Sequence, residues 1–275
     1  KPSVDWSLVG GLKHAKQCLY DVIIHPVRYK MIYERSPMSL PTGVLLYGFP
    51  GSGKSFIVPA LAKASNLSLI TCRGPELLDR YIGASESKVR QIFASAVTAA
   101  PCMIFFDEFD SLAPQRGSDH TGVTDRVVNQ LLTLLDGAER NKKTSQIYIV
   151  AATSRPDKID KALLRPGRLE THVYFGYPES LIEWEELFCS IVRSWDLDEE
   201  VLSLCRKGEL YSALCNDLAY ARDLSAADMK AVMDTAHLIR VHEMLDESGH
   251  NVTVSDESGL PPKVIISKRH MISAL

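Results

Sequence analysis

Five short runs along the chain are apolar at nearly every position: GVLLYG (43–48), LSLIT (67–71), CMIFFD (102–107), IYIVAAT (147–153) and THVYF (171–175). Runs of this length without alternation suit strands covered on both faces. Between them the period changes. Val89, Ile92, Phe93 and Ala96 fall at i, i+3, i+4 and i+7, and Val127, Val128, Leu131, Leu134 and Leu135 repeat the helical spacing. Strands that alternate with amphipathic helices predict an α/β fold, a parallel five-stranded sheet sandwiched by helices.

After Tyr177-Pro178 the strand pattern stops, and residues 179–245 carry helical patterns only. In the longest, LSAADMKAVMDTAHLIRVHEML (224–245), Ser225 can cap the N-terminus and Asp228 sits in the first turn, where the helix dipole favours a negative charge. This shift divides the chain into a large αβ domain, 1–177, and a small α-helical domain, 178–275. The stretch DESGHNVTVSDESGLPPK (246–263) is polar and turn-rich and is expected to be a surface loop before a last short helix from about 268.

At 275 residues the chain exceeds one average domain. A net charge of -3 argues against a polybasic surface for phosphate backbones, so nucleic acid is not the expected partner. The six cysteines, at 18, 72, 102, 189, 205 and 215, form no C-x-x-C pair and lie mostly in apolar runs, as structural thiols of a reducing compartment do. No run approaches the roughly 20 apolar residues of a membrane span, and no signal peptide opens the chain. The chain starts at Lys1 and is read as a piece of a longer protein.

The chemistry is concentrated in two short segments. GFPGSGKS (48–55) fits G-x-x-x-x-G-K-[ST] between a strand and a helix, the context that motif requires. Gly48, Phe49, Pro50, Gly51, Ser52 and Gly53 form the loop whose N–H groups can face phosphate oxygens, and Phe56 follows at the helix start. Lys54 supplies positive charge to the β and γ phosphates, and the Ser55 hydroxyl can ligate Mg²⁺. ATP or ADP with Mg²⁺ is therefore the expected ligand set. MIFFDEFD (103–110) brings Asp107, a second Mg²⁺ ligand, to a strand end, and Glu108 beside it can orient or deprotonate an attacking water. GTP is disfavoured, because NKKT (141–144) lacks the aspartate of a guanine-reading N-K-x-D.

LVGGL (8–12), GFPGSGKS, FFDEFDS (105–111), DRVVNQLLTLLDG (125–137), AATSRPD (151–157) and LLRPGRLE (163–170) resemble the AAA-type ATPases in order and spacing. DEFDS, TGVTDRVVNQLL and AATSRPD are most similar to the second ATPase domain of the peroxin-1 type peroxisome-biogenesis ATPases. The resemblance implies an AAA+ P-loop NTPase with strand order 5-1-4-3-2, a helical lid, nucleotide between the two domains, and a hexameric ring. Arg165 and Arg168 match the arginine fingers that stabilise charge on a neighbouring subunit's γ-phosphate. Val9, Gly10, Ala226 and Ala227 match the adenine-contacting positions. Ser154 stands at the catalytic sensor position, where asparagine is usual, so a long carboxamide becomes a short hydroxyl. Ala226 replaces a usual glycine and Leu8 a usual acid. None of the three removes a phosphate, metal or base residue, and hydrolysis is expected to survive.

RYIGASE (80–86) sets Tyr81 and Ile82 before Gly83, where the family places a pore loop gripping an extended polypeptide. The implied function is an ATP-hydrolysing protein translocase or unfoldase that extracts peroxisomal import receptors. It would alternate with a peroxin-6 type partner in the ring. It would act at the cytosolic face of the organelle membrane, recruited by a partner rather than by a span of its own. Two rivals follow from the same residues. A nucleic-acid motor or clamp loader would carry basic pore loops, and 80–86 offers only Arg80; a non-hydrolysing scaffold would lack Glu108 or the fingers.

Overall fold

The five apolar runs become the strands of the sheet. β1 (Gly43–Gly48), β2 (Ser68–Arg73), β3 (Cys102–Asp107), β4 (Ile147–Thr153) and β5 (Thr171–Phe175) form one sheet of order β2-β3-β4-β1-β5 with every pair parallel. This is the implied order read from the opposite edge. In the computed structural model the described residues are 4–33, 43–79, 83–115, 123–140, 146–215, 224–247 and 263–275. β2 runs further than the apolar pattern LSLIT, because pairing to β3 continues through Cys72↔Phe106 and Arg73↔Asp107. Main-chain hydrogen bonds are indifferent to the polarity of Arg73, so hydropathy could not mark that end.

The described residues divide into two compact units, Lys1–Trp6 with Lys13–Gly176 and Ser7–Leu12 with Tyr177–Leu275. The first holds the sheet with α1 (Lys13–Leu19), a π-helical turn (Tyr20–Ile24), α2 (His25–Arg28), α3 (Lys30–Tyr33), α4 (Lys54–Ala64), α5 (Gly74–Leu77), α6 (Ala84–Thr98), α7 (Phe109–Leu112) and α8 (Val123–Arg140). Its core joins Leu45, Ile104, Phe106 and Ile149 of the strands to Val89 and Phe93 of α6 and Val128 and Leu131 of α8. These are the helical positions the 3.6 period selected.

The second unit holds α9 (Leu181–Val192), α10 (Glu199–Lys207), α11 (Leu210–Cys215), α12 (Ala226–Glu247) and α13 (Lys268–Ala274). Trp184, Phe188, Leu210, Met229, Met233 and Met271 meet in its core. The buried Glu185 carboxylate caps α11, accepting from the N–H groups of Tyr211 (2.8 Å) and Ser212 (2.9 Å). Where the sequence suggests a single cut after 177, Ser7–Leu12 groups with this helical unit, because Gly10 N–H donates to Ser190 Oγ of α9 at 3.1 Å. Among the described residues no helix is long and apolar enough to cross a membrane.

Candidate active site

β1 ends at Gly48 and α4 begins at Lys54, so residues 49–53 of the motif span the gap between a buried strand and a helix N-terminus. Gly53 caps α4 with φ +90, a left-handed value that side chains resist, and a Cβ there would meet nothing within 4 Å. Backbone conformation, not crowding, is therefore what asks for glycine at this position. Lys54 is only 7% exposed. Its ammonium donates to the carbonyls of Gly48 (2.9 Å) and Phe49 (2.7 Å) and to Ser52 Oγ (3.3 Å). Burial lowers its pKa, and the charges of Asp107 and Asp110 partly offset that effect. Ser55 and Phe56 are exposed at the helix start, as is Pro50 in the loop.

The acidic strand end is built by β3. Asp107, half-buried, accepts the Glu108 N–H at Oδ1 (3.0 Å), and Glu108 follows with φ +51 and an exposed side chain. A positive φ at a glutamate is uncommon and needs support from its surroundings. Ser111 supplies it, directing both its N–H (3.1 Å) and its Oγ (2.7 Å) onto the Glu108 carbonyl. Ser154 lies exposed beyond β4, next to the buried Thr153, whose hydroxyl donates to Asp110 Oδ1 at 2.8 Å. β3 and β4 are adjacent strands, so Glu108 and Ser154 follow the same end of the sheet.

Arg165 and Arg168 are held differently. Arg165 is exposed, whereas Arg168 is half-buried and paired with Asp136 of α8. In the second unit Val9 is buried, Gly10 is tied to Ser190, and Ser190 in turn donates to the Leu187 carbonyl at 2.9 Å. Ala226 and Ala227 open α12 behind a reciprocal cap, with Ser225 N–H donating to Asp228 Oδ2 (2.8 Å) and Asp228 N–H donating to Ser225 Oγ (3.2 Å). Leu8 is 40% exposed. Tyr81 and Ile82 lie outside the described residues; on either side of them the Asp79 N–H donates to Ser85 Oγ at 2.8 Å.

The donor set suits a magnesium nucleotide. Among the described residues there is no cluster of three or more His, Cys, Asp or Glu, and the Ser55 hydroxyl and the Asp107 carboxylate are oxygen donors of the kind Mg²⁺ takes. Mg²⁺ is commonly held by one or two protein oxygens plus water and substrate phosphate. Sequence reasoning assigned no role to Asp110, Thr153, Asp136, Gly74 or Ser190. Asp110 and Thr153 stand within two residues of assigned positions, yet only their hydrogen bond distinguishes them.

Residues 44–177 match the model of the "ATPase family associated with various cellular activities (AAA)". Among curated proteins, the peroxisomal ATPase pex1 of Schizosaccharomyces pombe is 43% identical over 89% of this chain and 24% of its own length. The human peroxisomal ATPase PEX1 is 44% identical over 89% of this chain and 18% of its own. A cell division cycle protein 48 homolog of Archaeoglobus fulgidus is 40% identical over the whole chain and 35% of its own. The chain thus spans 18–24% of the length of these two peroxisomal relatives. Residues 44–177, which hold the phosphate loop and the sheet from Val44 onward, are a domain of the AAA family of ATPases.

Proposed function

We propose that this module binds and hydrolyses ATP to pull protein substrates through a hexameric ring, as the second motor domain of a peroxin-1 type peroxisomal ATPase. The carrying observation is the buried Lys54 ammonium, which feels the charge of Asp107 at the end of β3, with Glu108 the next residue along the chain. In this reading Lys54 leaves its loop carbonyls for phosphate oxygens, joined by N–H groups of residues 49–55. Ser55 and Asp107 hold Mg²⁺, which when bound neutralises charge on the phosphates. Glu108 takes the proton of the attacking water, and Ser154 helps orient that water. Arg165 serves the neighbouring subunit's phosphate, and Arg168 braces the loop that carries it. Val9, Gly10, Ala226 and Ala227 contact the adenine.

The peroxisomal setting rests on the 43% and 44% identities to peroxisomal ATPases. It supplies a peroxin-6 type partner, import receptors as cargo, and work at the cytosolic membrane face. The test is ATP turnover against protein concentration, with and without a peroxin-6 type partner, followed by a receptor-extraction assay. Turnover should rise when the partner is added, and Tyr81→Ala should keep turnover while losing extraction. Turnover unaffected by the partner would sink the alternating ring; extraction unaffected by Tyr81→Ala would sink the grip.

A further inference from the structure

Asp110 has no role in the scheme above, yet its carboxylate joins the two turns on which that scheme depends. Its Oδ1 accepts from Thr153 Oγ1 at 2.8 Å, and Thr153 Oγ1 accepts from the Arg155 N–H at 2.9 Å. A hydroxyl has one proton to give, so the direction is settled: Arg155 N–H to Thr153, Thr153 to Asp110. Ser154 is the residue enclosed by the Thr153–Arg155 bond. Glu108 stands two positions before Asp110, in the left-handed conformation that Ser111 supports.

Farther along, the same two segments are laced by main-chain bonds. Gln115 N–H donates to the Lys158 carbonyl (2.8 Å), Asp160 N–H donates to the Ala113 carbonyl (3.1 Å), and Pro114 bridges Ile159 antiparallel. Those bonds lay the segments side by side. The β3–β4 ladder sets the register up to Phe106↔Ala151 and ends short of the turns where Glu108 and Ser154 stand. The Asp110–Thr153 bond is a side-chain link at that end, with Thr153 2% exposed and therefore little able to exchange its partner for water.

We propose that Asp110 is a positioning residue for hydrolysis, holding the Glu108 turn and the Ser154 turn in one register through Thr153. This rests on the assignment of Glu108 as the base. A short serine at the sensor position makes the register matter more, because its reach cannot absorb a displacement of the turn. A rival account gives Asp110 a different task, a charge acting on the nearby Lys54.

The experiment measures kcat and nucleotide Kd in the full-length protein with its partner subunits, with Glu108→Gln as control. Thr153→Val, which removes the hydroxyl and keeps the shape, should lower kcat roughly 10- to 100-fold and move nucleotide Kd less than about twofold. Thr153→Ser and Asp110→Asn retain the donor and the acceptor, and each should recover the parental rate to within about threefold. Asp110→Ala combined with Thr153→Val should lose no more than the worse single change, since both break one link. Parental turnover in Thr153→Val, or multiplied losses in the double variant, overturns the proposal. Asp110→Asn falling as far as Asp110→Ala overturns it in favour of the charge. Loss of Kd together with thermal stability in the Thr153→Val and Asp110→Ala proteins, without recovery in the conservative variants, reassigns the link to folding alone. Parental turnover by Glu108→Gln would instead remove the base assignment itself, a failure distinct from that of the link.

Discussion

Arg168 grips Asp136 with two prongs, Nε to Oδ1 at 2.7 Å and Nη2 to Oδ2 at 2.9 Å. Its remaining nitrogen, Nη1, donates to the Ala162 carbonyl. The guanidinium is thereby committed inside its own chain, fastening the loop after β4 to helix α8. Arg165, three positions earlier on that loop, stays exposed. Two arginines that look equivalent in LLRPGRLE are held differently.

Arg165→Ala should lower hydrolysis in the assembled ring by about 10³-fold, the scale of an arginine finger, without moving the melting temperature. Arg168→Ala should cost about 1–2 kcal/mol of stability, because it leaves the Asp136 carboxylate without its two-pronged partner. Arg168→Lys, which keeps the charge without the two-pronged grip, should recover part of that stability. Thermal melts beside ATPase rates decide; an unchanged melt in Arg168→Ala would mean that the pair does not brace the loop.

Lys54→Ala and Glu108→Gln separate binding from chemistry. The first removes the cradle's buried cation and should abolish tight nucleotide binding, measured by calorimetry. The second keeps size and hydrogen bonding but loses the proton acceptor, and should bind ATP normally while turning it over about 10²- to 10⁴-fold more slowly. Normal turnover in the Gln variant would exclude Glu108 as the base.

Gly74→Ala should disturb the base turn without touching it in sequence. A Cβ at Gly74 would stand 2.2 Å from Ser111 Oγ and 2.5 Å from the Glu108 carbonyl, so something must move. Because Ser111 supports the left-handed Glu108, slower hydrolysis with retained nucleotide binding is expected. Adding Ser111→Gly removes one of the two clashes but also the hydroxyl that supports Glu108, and should leave the rate low. A Gly74→Ala protein with parental kcat would show that the turn yields freely.

Cys72 and Cys102 should resist iodoacetamide at pH 7.5 while Cys205 reacts. Burial pushes the first two thiols up to about 11, and the hydrogen bond from Cys189 holds the Cys205 thiol below its ordinary value. The same shifts carry a stability consequence. A thiol whose folded pKa lies above its unfolded 9.0 contributes fully below pH 9, and the contribution disappears as pH rises through about 11. Peptide mapping after alkylation, and melts between pH 8 and 11, check both; early labelling of Cys102 would contradict its burial.

The sequence by itself determined the sheet, the phosphate loop and the acidic strand end. Each is local. Near-continuous apolar runs mark strands covered on both faces, and GFPGSGKS needs only its own backbone and the helix that follows. Within such short windows the physics is the same whatever surrounds them. The strand order was legible only through resemblance, since no run states which neighbour it will pair with.

Only the tertiary structure decided how the assigned residues are held. The Asp110–Thr153 bond joins positions 43 apart, Arg168–Asp136 positions 32 apart, and Gly10–Ser190 positions 180 apart. A one-dimensional pattern records what a residue is and how its near neighbours repeat. Which carboxylate meets which hydroxyl depends on where folded segments return in space. Asp107, Glu108 and Asp110 are three acids in one run of four residues, alike in charge. Folding makes one a strand-end carboxylate, one a strained and exposed side chain, and one the anchor of a distant turn.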